Sequence, residues 1–89
     1  MPYIKREKRA ELDLLVNQVV DLFKRIPDDE VDGSLNYFFT RILKSLYTPS
    51  YFNYERAIGL LSCIQMEFYR RWVAPYEDKK IQINGDIED

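Results

Sequence analysis

NYERAIGLLSCIQMEFYRRWV, residues 53–73, decides the fold. Ala57, Leu60, Leu61, Ile64, Phe68 and Trp72 recur at three- and four-residue steps, the repeat that lines one face of an α-helix. Ile58, Cys63 and Met66 widen that stripe, which predicts a central helix roughly 30 Å long at ~1.5 Å per residue. Gly59 lies inside it and costs about 1 kcal/mol relative to alanine. Close approach of another helix, in the same chain or in a partner, would account for it.

Two more stripes precede this one. Leu12, Leu15, Val16, Val19, Leu22, Phe23 and Ile26 predict a helix over about 6–26, stopped by Pro27, which pushes the preceding residue out of the α region. Leu35, Phe38, Phe39, Ile42, Leu43 and Leu46 predict a second over about 34–47, with Asp32 or Ser34 as its cap and 27–33 as an acidic loop. Beyond Pro75, acids followed by lysines read as a fresh start, so a short helix over 75–83 or a kinked extension is expected. Asn84-Gly85 suits its C-terminus, and 86–89 reads as a mobile tail. No segment alternates with period two. The reading is all-α: a small three-helix bundle, one domain over 1–89.

Composition removes most chemistries. The chain has 89 residues, no histidine and one cysteine, so neither an internal disulfide, a zinc finger nor a Ser-His or Cys-His catalytic pair can be built. A net charge of −2 argues against general nucleic-acid or membrane-surface binding, which needs a basic excess. No apolar run approaches the roughly 18–20 residues that span a bilayer. Lys5, Arg6, Lys8 and Arg9 stand where a signal peptide needs an apolar core, so a reduced cytoplasm is expected. A chain this short buries only roughly 60–65% of its unfolded surface, so stability must come from efficient packing or from a second copy.

Asp28, Glu30, Asp32 and Gly33 match the first, third, fifth and sixth positions of a calcium-binding EF-hand loop, but the twelfth, which must be glutamate, is Phe39. No metal is expected. Cys63 lies on an apolar helix face with nothing to activate it and reads as an inert thiol. Neither catalysis nor a cofactor is expected.

The segment from Glu67 to Glu77 mixes charge and aromatic rings most densely. Glu67 and Arg71, four apart, suit a helix-surface pair, which leaves Arg70 in need of another partner. Arg70 and Arg71 beside Tyr69, Trp72 and Tyr76 would grip a phosphate or carboxylate, or equally tie helices together. Asn36, Thr40 and Lys44 form a polar stripe, with Tyr37 and Arg41 beside it. An inward Asn36 amide bonding to Glu67 or Arg70 would explain a middling helix former near a helix start.

Leu35-Asn36-Tyr37 with Arg41, Glu67-Phe68-Tyr69-Arg70-Arg71, Ala74-Pro75-Tyr76-Glu77-Asp78-Lys79-Lys80 and Asn84-Gly85-Asp86 occur in that order, behind Met1-Pro2-Tyr3-Ile4. With these motifs the chain resembles, essentially end to end, a family of uncharacterised bacterial and bacteriophage proteins of about this length. The resemblance supplies no activity. It implies a small accessory protein, phage- or mobile-element-encoded, and draws attention near the C-terminus to Asn84 and Asp86, and on the predicted helices to Asn36, Tyr37, Arg41, Glu67, Arg70, Arg71 and Lys80. With Tyr69 and Tyr76, these are the candidate interface or ligand residues. The function expected is that of a non-catalytic interaction protein that self-associates as a dimer. A binder of a small anionic ligand such as a nucleotide is the second reading, and an inhibitor of a host protein is the third.

Overall fold

Helices dominate the structure, a computed structural model that describes residues 3–88, and no strand occurs among the described residues. The all-α class read from the sequence is what the chain adopts: three helices, the last a joined helix of 34 residues. Among the described residues they fall into two units, 3–48 and 49–88.

In the first unit, a 3-10 turn at Arg6–Lys8 precedes α1, Ala10–Phe23, and α2 follows at Asp28–Leu46. The α-helix therefore begins later than the sequence predicts, and the reason is electrostatic. Lys5, Arg6 and Lys8 would oppose the positive end of the helix dipole, whereas the true first turn carries Glu11 and Asp13. Arg9 donates from Nε to the Ile4 carbonyl at 2.8 Å and lies over the Tyr3 ring at 6.0 Å, which folds the basic head against the helix start.

Arg25 and Ile26 donate to the carbonyls of Leu22 and Phe23 at 3.0 and 3.1 Å, closing α1 in a tight turn before Pro27. The acidic loop predicted over 27–33 is not a loop: Asp28, Asp29 and Glu30 are the first turn of α2. Pro27 holds φ −56° and ψ 143° just before it, and three carboxylates meet the positive helix end, so no side-chain cap is needed from Asp32 or Ser34. Phe23 and Phe38, edge to face with centroids 5.7 Å apart, join α1 to α2. Tyr47 turns extended and ends α2.

The second unit is a single long helix. Ser50 caps it, its Oγ accepting from the Asn53 amide at 2.9 Å. α3 runs Tyr51–Phe68, a π-helical turn spans Tyr69–Val73, and α4 continues over Ala74–Asn84. Gly85, at φ 91°, provides the backbone shape that stops it. Proline normally breaks a helix, because it cannot donate to the carbonyl four residues back and its ring crowds that group. The π-turn directly upstream, where the Ala74 amide reaches the Tyr69 carbonyl five residues back, widens the helix and carries it past Pro75. Of the two expectations for this segment, an extension of the third helix is the outcome. No described residue is fully buried, so every apolar stripe keeps contact with solvent.

Candidate functional site

Two kinds of surface stand out, one apolar and two polar. Between α1 and α2, Leu12, Leu15, Val16 and Val19 face Val31, Leu35, Phe38 and Ile42 across an open groove of about 780 Å³, which Phe23 also lines. Leu12, Leu15 and Val16 are each about half exposed. The sequence stripes foretold these residues but assigned them to a core. Val31, placed in a loop by the sequence reading, is one of the groove residues because α2 begins early.

The first polar cluster lies on α2. Asn36, Tyr37 and Arg41 line an open depression of about 660 Å³ with Asp32, Gly33, Thr40 and Lys44. Arg41 donates from Nη1 to the Tyr37 hydroxyl at 3.0 Å and sits 5.8 Å from that ring's centroid. Asn36 Oδ1 accepts from Thr40 Oγ1 at 3.2 Å, so this oxygen is engaged on its own helix rather than with Glu67 or Arg70.

The second cluster straddles the π-turn and holds Glu67, Tyr69, Arg70, Arg71, Tyr76 and Lys80. Arg70 Nη2 meets Glu67 Oε1 at 2.7 Å, and Arg71 Nε lies 3.9 Å from the same oxygen. The order of the pairs is the reverse of the one expected from four-residue spacing. Arg71 is drawn over the Trp72 indole, 4.8 Å from the centroid, which leaves Arg70 as the closer partner of Glu67. Lys80 stands 5.6 Å from the Tyr76 ring centroid.

Tyr69 donates from its hydroxyl to Glu77 Oε2 at 3.2 Å. The carboxylate beside it, by charge first and by hydrogen bonding second, raises the Tyr69 pKa above the usual value. That pair was invisible in the sequence. Eight residues apart in a regular α-helix are roughly 80° out of phase, and the extra residue of the π-turn brings them onto one side.

Chemically, the Glu67 cluster sets two guanidiniums on one carboxylate and so retains positive charge. Arg70 is 73% exposed and Glu67 only 18%, so the carboxylate is shielded while the cation faces water. Cys63 is half-buried on α3. No group of three or more cysteine or acidic side chains among the described residues could hold a metal ion, and no helix is long and apolar enough to cross a membrane.

Comparison with known families places the chain. A family described as Domain of unknown function (DUF6899) matches residues 1–87. The chain belongs to that family. The DUF6899 match covers both polar clusters and the apolar groove, so all three surfaces lie within the family's own domain. Searches of the curated proteins and of the solved structures return no match.

Proposed function

We propose that this chain is a non-catalytic interaction protein that self-associates, most simply as a two-fold dimer. One observation carries the reading: within the first unit, Leu12, Leu15 and Val16 stay about half exposed along the apolar groove between α1 and α2. Other large apolar side chains are exposed as well, among them Leu14, Phe52 and Ile58. Permanent homodimers bury roughly 2,000–5,000 Å² in total, a demand this surface can meet. Light scattering behind a sizing column at tens of micromolar tests it. A species of about twice 10.7 kDa is the expected result, and a clean monomer at that concentration removes the proposal. We assign the protein to the cytoplasm, and to a bacterial or phage source, on the motif resemblance and composition.

A second reading is supported by the charge of the Glu67 cluster. Arg70 and Arg71 share one carboxylate, and Tyr69, Tyr76 and Lys80 lie on the same stretch of helix, a set suited to a small anion carrying a ring, such as a nucleotide. A panel of nucleotides that leaves the melting temperature unmoved would eliminate it.

A further inference from the structure

The long helix carries a pattern that α3 and α4 conceal when read separately. On α3, Tyr54, Ala57, Leu61, Ile64 and Phe68 are spaced three, four, three and four, the seam of a left-handed coiled coil. Continued without change, that spacing reaches Arg71, Pro75, Asp78 and Gln82. The π-turn at Tyr69–Val73 inserts one residue of phase, so the seam passes instead to Trp72, Tyr76, Lys79 and Ile83, in which Lys79 is a charged position whose aliphatic stem lies along the seam. Only one step, from Phe68 to Trp72, departs from the heptad, and the departure coincides with the π-turn.

Apart from Ala57, which is half-buried, these apolar residues are open: Leu61 is 42% exposed and Phe68 59%, and Trp72, Tyr76 and Ile83 are exposed as well. Length argues for a partner outside the chain. The seam from Tyr54 to Ile83 runs roughly 44 Å, whereas a helix of 19 residues such as α2 can shield at most roughly 28 Å of any stripe. Charge selects the partner's direction. Glu55, Arg56 and Glu67 leave the first half of the helix at net −1, while Arg70, Arg71, Lys79 and Lys80 against Glu77 and Asp78 leave the second half at net +2. An antiparallel copy sets each half against its opposite and opposes the two helix dipoles, whereas a parallel copy stacks +2 on +2.

We propose that the helix Tyr51–Asn84 pairs antiparallel with the same helix of a second copy along this seam, centred near Phe68, with the π-turn keeping the two halves in register. The inference rests on the self-association reading and names its interface. It assigns Trp72 and Tyr76 to the contact, and leaves Arg70 on the outer side.

Light scattering combined with spin-label distances tests it. The wild type is expected as a dimer, Phe68→Glu and Trp72→Glu as monomers or dimers weakened at least tenfold, and Met66→Glu, off the seam, as an unaltered dimer. In a Cys63→Ser chain labelled at Glu55→Cys, the antiparallel pairing places the two labels roughly 38 Å apart, against roughly 10–15 Å for a parallel one. The label measurement needs no seam substitution, so it decides the case even if a glutamate variant loses its helical circular dichroism. A short label distance overturns the antiparallel pairing. A dimer that survives Phe68→Glu and Trp72→Glu but is lost in Val16→Glu overturns the seam and leaves self-association standing through the α1–α2 groove. A monomeric wild type overturns both.

Discussion

The contact between Phe23 and Phe38 is an aromatic pair that joins α1 to α2, and its strength can be worked out before it is measured. A phenylalanine ring carries roughly 150–250 Å² of surface, and both of these residues are half-buried. Returning about 100 Å² of apolar surface to water costs about 2.5 kcal/mol at ~25 cal/mol per Å². The edge-to-face geometry at 5.7 Å and 80° adds about 0.5–1.5 kcal/mol of pairwise energy. Phe23→Ala is therefore expected to cost about 3–4 kcal/mol and Phe38→Ala a similar amount. The double variant should cost less than their sum by the pairwise energy. Urea denaturation followed by far-ultraviolet circular dichroism would give all three values. It must be run at one protomer concentration, because association adds a concentration-dependent term. A coupling energy below about 0.3 kcal/mol, the scatter of independent sites, would show that these rings do not hold the hairpin and would refute the reasoning.

Three further outcomes follow from local features. A Cβ built on Gly59 meets nothing within 4 Å, so Gly59→Ala is expected to stabilise the helix by about 1 kcal/mol in thermal melts, and a loss instead would mean that a partner closes on that face. Glu67→Gln removes the carboxylate shared by Arg70 and Arg71, and should cost about 0.5 kcal/mol at low salt and almost nothing in ~1 M salt. Glu77 holds the Tyr69 pKa above the usual 10.0, so Glu77→Gln should bring that titration back down, read as the tyrosinate absorbance difference from a Tyr69→Phe chain. The sign follows from linkage: because the folded value is raised, the stability contributed by the Tyr69–Glu77 contact is whole below pH 10.0 and is lost as pH rises through the raised pKa.

Periodicity made the helices legible, because Leu12 to Phe23, Leu35 to Leu46 and Ala57 to Trp72 each draw one stripe. Boundaries were less so, since they depend on which residues the helix dipole tolerates. Asp28–Glu30 look like loop residues in isolation but are good first-turn residues once Pro27 sets the entry. The candidate residues were also visible, yet their grouping was not. Asn36 bonds Thr40, and Glu67 prefers Arg70 because Arg71 stacks on Trp72; such choices between near-equal partners are made by rotamers, which spacing does not encode. The π-turn was hidden for a different reason: Pro75 marks a disruption, but one residue of extra helical width has no signature in residue type.

That turn gives the long helix an unusual set of ends. An isolated helix opens its amide hydrogen bonds from its termini inward, so the middle exchanges with solvent last. In Tyr51–Asn84 the ladder is interrupted where Ala74 reaches back to Tyr69 and Pro75 has no amide to offer. Fraying can start there as well, and the helix then opens as two cooperative segments of about half the length. Deuterium uptake along this chain should show a fast band around residues 70–76 between two slower stretches, deep inside what is, by backbone geometry, one unbroken rod.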